Sequence, residues 1–163
     1  MPLQIPMAMQ PSGSPQFAYR NNNPGNLQYA RQPGATLGDG GFARVLSPEH
    51  GVNALHDQIA LDQSRGLTVG QFIKKYAPPN QNDTLLYTTQ AQKALGAGAD
   101  DPLSTIDRKK IAAFVARKES GTDISRYAPP APLNTSWLAK HLPQPADMTA
   151  VQPNGSLPRS MVP

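Results

Sequence analysis

Proline placement constrains this chain more than any other feature. Of its 18 prolines, four fall in residues 1–16 and eight in residues 127–163, leaving six for the 110 residues between. Proline fixes φ and removes a backbone donor, so dense proline favours extended or polyproline backbone over packed elements. The distribution predicts three parts: an extended Pro-rich arm over 1–16, a domain over 17–126 and a second extended Pro-rich arm over 127–163. The apolar fraction of 38% lies below the roughly 45–50% of an ordinary domain. Arms that bury little account for part of that deficit.

Several classes are excluded at once. No run of about 18 apolar residues exists, so no membrane-spanning helix is expected. Residues 1–6 lack the basic flank and continuous apolar stretch of a secretory signal. The chain has no cysteine, hence no disulfide framework and no thiolate metal site. His50, His56 and His141 show no metal-ligand spacing, and no cofactor is expected. The net charge is +4, with 13 Lys/Arg against 10 Asp/Glu in residues 17–126. That balance suits either a solvated surface or an anionic polymer, but no motif supports specific nucleic-acid binding.

Between the arms, periodicity and punctuation predict a mainly α domain with a small β-hairpin. Leu27–Ala30 and Phe42–Leu46 read as the strands, joined by a loop with turn chemistry at Asp39-Gly40. Ser47-Pro48-Glu49 is a helix start, with Val52, Leu55 and Ile59 at helical spacing and Gly66 as the stop. Thr68 opens a short helix carrying Val69, Phe72, Ile73 and Tyr76, which Pro78-Pro79 ends. Asp83 caps a helix over 84–95, followed by Gly96. A last helix runs from about 104 to 120, with Gly121 behind it. In the second arm, residues 136–142 form a short amphipathic piece around Trp137, the only tryptophan. It serves either as a docking anchor or as a plug on the protein's own core.

The chain holds two glutamates. Glu49, in the first turn of a helix, is explained by the macrodipole. Glu119 is in a last turn, where the dipole disfavours an anion. It is either a solvated residue on a frayed end or a carboxyl whose pKa is raised for general-acid work. The other unusual cluster is Arg20 to Tyr29, with four asparagines in six residues. Asn amides donate and accept, which suits hydroxyl- and acetamido-bearing ligands such as sugars. Tyr29 can stack on a pyranose face. An Asn-rich loop built on side-chain turns is the plain alternative.

Arg20 to Tyr29, Gly41-Phe42-Ala43-Arg44 and Ser47-Pro48-Glu49-His50-Gly51 resemble the motifs of a family of phage virion and related bacterial proteins. The 77–84 segment and Arg117-Lys118-Glu119-Ser120-Gly121 resemble its next two motifs, all in order over about 20–121. The helix ending in Glu119-Ser120 is also similar to the catalytic-acid helix of glucosaminidases and transglycosylases of the lysozyme superfamily. There that helix precedes an Asn-rich hairpin; here it comes last, as in a circularly permuted lysozyme-like domain.

The resemblance implies a phage-tail protein that degrades peptidoglycan at the cell wall during genome delivery. Glu119 would be the general acid and Asp39 the best second carboxylate. Asn23, Asn26, Gln28, Tyr29, Asn82 and Tyr87 would bind the glycan strand. A hydrolase needs the second carboxylate, whereas a lytic transglycosylase needs one acid alone, and the paucity of glutamate favours the latter. A non-catalytic virion protein, assembling through its arms with other tail proteins and with its own copies, is the alternative. A secreted bacterial effector is a third.

Overall fold

The computed structural model describes residues 15–76, 83–127 and 131–141. Most of the first expected arm, the Pro78-Pro79 stop, Asn82 and the last 22 residues lie outside them. Helices dominate the described residues, with one small antiparallel ladder. In chain order they are α1 (Pro15–Arg20), β1 (Thr36–Leu37), β2 (Ala43–Arg44), α2 (Pro48–Ser64), α3 (Val69–Tyr76), α4 (Thr84–Leu95), α5 (Arg108–Ser120) and α6 (Thr135–His141).

The helix boundaries follow from local chemistry. Ser47 Oγ accepts from His50 N, with Pro48 at the first helical position of α2. Thr68 and Gln71 cap α3 reciprocally: Thr68 Oγ1 accepts from Gln71 N and Gln71 Oε1 from Thr68 N. Asp83 accepts from Leu86 N at the start of α4, and Asp107 from Lys109 N at the start of α5. Gly121 closes α5 at φ 70°, a left-handed conformation that an L side chain adopts only with strain. The expected start near residue 104 is a separate 3-10 turn over Leu103–Thr105, and α5 proper begins at Arg108.

α2 packs on α5, α3 on α4, and α4 on α5. Leu55 and Ile59 of α2 meet Phe72 and Ile73 of α3 and Ile111 and Val115 of α5 in one apolar cluster. All six are shut off from solvent.

The hairpin differs from its sequence reading. The ladder pairs Thr36 with Arg44 and Leu37 with Ala43, and Leu27–Ala30 contributes one isolated bridge, Gln28 to Phe42. Tyr29 N still donates to Gly41 O and Ala43 N to Leu27 O, so the Phe42 segment is flanked on both sides. Asn23 explains why Leu27 does not propagate a ladder. Its amide donates to Leu27 O and Ala43 O at 2.9 Å each and accepts from Leu27 N at 3.0 Å. A side chain thus satisfies the groups that a neighbouring strand would have used.

Both expected arms have a described helical stretch. Pro15 and Gln16 open α1, and Thr135–His141 in the second arm is helical, with Trp137 buried. Of the two roles open to Trp137, packing on its own chain is the one observed.

The Asn-rich loop lies hard against the first turns of α2. A Cβ added at Gly51 would collide with the Asn22 carbonyl oxygen and meet Pro24 Cδ at 2.6 Å. Both obstacles belong to rigid groups. Gly51→Ala is therefore expected to lower stability by about 2 kcal/mol, read as a shift in the urea midpoint at unchanged slope. An unshifted midpoint would show that the loop is not pinned there.

Candidate active site

The four asparagines of the 20–29 cluster have distinct fates. Asn21 braces the Asp39 turn, donating to Asp39 O and accepting from Asp39 N and Arg44 Nε. Asn22 donates to Val45 O. Asn23 spends its amide on Leu27 and Ala43, as above. Three of the four are thus structural braces, and the expectation that Asn23 binds a ligand is corrected: both ends of its amide are consumed inside the fold.

Asn26 behaves differently. It adopts φ 46°, a left-handed conformation that asparagine tolerates better than most residues. Its Nδ2 donates to the backbone oxygen of Glu119 at 3.3 Å, and its Oδ1 is buried with no partner. Ser120 Oγ lies 2.9 Å from Pro24 O and 2.8 Å from Ala116 O. These bonds weld the end of α5 to the Asn loop across more than 90 residues of sequence. The first and last motifs read from the sequence thereby become neighbours.

Glu119 lines a cleft of about 330 Å³ together with Asn26, Gln28, Phe42, Tyr76 and Trp137. That volume falls in the range of small-ligand sites. Burial pushes the Glu119 carboxyl up to about 7. A hydrogen bond from Tyr87, the Lys118 charge and the Asn26 amide pull the other way without overcoming it. Tyr87 OH donates to Glu119 Oε1 at 2.9 Å, and Lys118 Nζ sits 5.2 Å from the Tyr87 ring centroid. Tyr87 is itself buried, its ring edge-on to Phe114, and burial with the Glu119 charge raises its pKa far above that of free tyrosine. It stays a neutral donor.

Tyr76, expected only as an apolar face of α3, contributes a second hydroxyl. That hydroxyl is buried without a hydrogen-bond partner, and burial, Asp62 and Glu119 together hold its proton on. Asp62 is fully buried and fixed by Lys75, whose Nζ lies 2.7 and 2.6 Å from its two oxygens. Gln58 donates to it as well, at 3.2 Å. Gln58, Arg65 and Lys75 line the cleft themselves, and both bases pair with Asp62.

The remaining expected site residues fall elsewhere. Asp39 is not among the residues lining this cleft. It pairs with Arg44, Oδ1 to Nη2 at 2.7 Å, and more loosely with Arg20 at 3.9 Å. The ion pair with Arg44 thus gives Asp39 a structural task in the hairpin turn. Tyr29 is half-buried and also lies outside the lining, while Gln28 belongs to it. Tyr87 acts through Glu119 rather than as a wall of the cleft. Asn82 lies outside the described residues. Sequence reasoning missed Tyr76 and the Asp62–Lys75 pair, because helical spacing shows a tyrosine's apolar flank but not where its hydroxyl ends.

Among the described residues, no group of three His, Asp or Glu is placed to hold a metal ion. None of their helices is long and apolar enough to cross a membrane. An acid with a raised pKa, held by a buried tyrosine and facing a cleft that also presents a tyrosine hydroxyl, an amide and an indole, can deliver a proton to a bound ligand. No protein-family model and no curated protein matches this chain, so the case for a function rests on the geometry of this cleft.

Proposed function

We propose that this chain is a peptidoglycan-cleaving protein of a phage tail, with a permuted lysozyme-like domain and Glu119 as its single catalytic acid. The observation that carries the reading is the buried carboxyl of Glu119, its pKa raised by that burial, at the wall of a cleft lined by polar and aromatic side chains. A carboxyl with a pKa near 7 is half protonated at neutral pH, the condition that general-acid catalysis needs. Glu119 gives its proton to the glycosidic oxygen as the bond from that oxygen to the anomeric carbon breaks. The carboxylate so formed, steadied by the Tyr87 hydroxyl, then takes the proton of a hydroxyl on the same sugar as its oxygen closes on the anomeric carbon. The product is an intramolecular anhydro ether, no water is consumed, and Glu119 ends protonated as it began.

Single-acid chemistry is favoured over hydrolysis because Glu119 is the only carboxylate lining the cleft among the described residues. Asp39 and Asp62 are each held by a basic side chain. Purified protein incubated with peptidoglycan is expected to release fragments lighter by one water than hydrolysed ones, read by mass spectrometry. Asp39→Asn is expected to release them at the wild-type level. Absence of fragments from the wild-type chain overturns the reading. Fragments of the hydrolysed mass overturn the single-acid mechanism, and loss of cleavage in Asp39→Asn returns that residue to the site.

Assembly without catalysis, through the Pro-rich ends, is the second reading. The observation in its favour is that three of the four clustered asparagines serve the fold and not the cleft.

A further inference from the structure

Trp137 belongs to the segment that the proline distribution sets apart from the central domain, yet it is only 6% exposed and lines the Glu119 cleft. Polar anchors bring it there. Asn134 N donates to Asp57 Oδ1 at 3.0 Å and Ala131 N to Asn53 Oδ1 at 2.9 Å, both acceptors on α2. Arg65 donates to the His141 carbonyl at 3.2 Å. Asn134 Oδ1 caps α6 by accepting from Trp137 N, and the indole lies tilted on the His141 ring with centroids 4.6 Å apart.

Such anchors explain a docked helix but not the state of the indole nitrogen. Trp137 Nε1 is buried without a partner. A buried N–H with no acceptor is costly and uncommon in a folded protein. The other two unpartnered buried side-chain atoms among the described residues are Asn26 Oδ1 and Tyr76 OH. All three residues line the same cleft. An indole nitrogen can only donate and Oδ1 of an amide can only accept. Their complement is a ligand that carries both an acceptor and a donor, as an amide substituent does, beside a face that an aromatic ring can cover.

We propose that Trp137 is a saccharide-binding residue which the C-terminal segment contributes to the Glu119 cleft, its Nε1–H donating to the carbonyl oxygen of an N-acetyl substituent. The proposal rests on the glycan reading above. It makes the proline-rich tail part of the site and gives the site a built-in optical reporter, since the chain holds one tryptophan.

The test titrates the full chain with a β-1,4-linked tetramer of N-acetylglucosamine, following indole emission and, in parallel, heat. The wild-type chain is expected to show a saturable change in emission. Trp137→Phe, which keeps an aromatic ring and removes the donor, is expected to bind about tenfold more weakly by calorimetry, the ordinary effect of one lost hydrogen bond. A melting scan of Trp137→Phe accompanies the titration; if that variant does not fold, the emission change of the wild type decides. Saturable binding without an emission change, or equal affinity of Trp137→Phe, overturns the proposal and leaves glycan cleavage standing. No binding by the wild type also overturns it, and the release of peptidoglycan fragments then judges the glycan reading separately.

Discussion

Glu119→Gln is expected to lower peptidoglycan cleavage by about 10²- to 10⁴-fold, the range attributed to a single general acid–base group. Glutamine preserves the shape of the side chain and an oxygen for the Tyr87 hydroxyl, but has no proton of suitable acidity to give. Substrate binding should change little, so the loss belongs in kcat and not in KM. The wild-type rate should also fall as pH rises through about 7, where the Glu119 carboxyl loses its proton. Fragment release measured from pH 5 to 9 for both chains checks this. A Glu119→Gln chain that cleaves at the wild-type rate removes Glu119 from the chemistry.

The same substitution is expected to stabilise the protein at alkaline pH. In the unfolded chain Glu119 ionises at the ordinary 4.5, whereas in the fold it holds its proton to about 7. The folded state therefore binds more protons between these values, and stability falls as pH rises through them. Below pH 4.5 Glu119 is protonated in both states and the penalty is absent. Above 7 it is fully present, at up to about 3 kcal/mol for that gap at 1.36 kcal/mol per pH unit. Glutamine never ionises and escapes the penalty. Glu119→Gln should accordingly match the wild type in denaturant midpoint at pH 4 and exceed it at pH 8. A constant difference across that range would mean that Glu119 carries no burial penalty. The two results together would be those of a site that trades stability for function.

Such a trade is legible in the sequence at one point, the placement of Glu119 in the last turn of a helix, where the dipole opposes an anion. That anomaly needs nothing but a helix boundary, and Gly121 supplies one. What the anomaly does not contain is the cause of the raised pKa. That cause is burial, in a cleft whose other walls come from residues far away in sequence, Asn26 and Gln28 among them.

The Asn cluster shows the converse error. Its composition suits sugars, yet composition cannot say whether an amide faces inwards or outwards. Asn21, Asn22 and Asn23 turn inwards because the tight path from α1 to β2 leaves backbone groups of Asp39, Val45, Leu27 and Ala43 to satisfy. A buried backbone group must find a partner, and that demand outranks any surface role. Tyr76 and Trp137 were read by spacing and rarity, and both proved to carry polar atoms aimed at no protein partner.

The sequence by itself determined α2, α3 and α4 and the glycine-closed end of α5, though not α1 or the later start of α5 at Arg108. Caps, prolines and glycines act within three or four residues, and their chemistry is complete in a local stretch of chain. It also determined that a carboxyl would stand at a helix end that disfavours it. Only the tertiary structure decided which hairpin residues pair, that Asp39 belongs to Arg44, and that Asn26, Tyr76 and Trp137 converge on Glu119. Those outcomes depend on which distant groups compete for one buried hydrogen bond or one volume. No local pattern of residues records that competition.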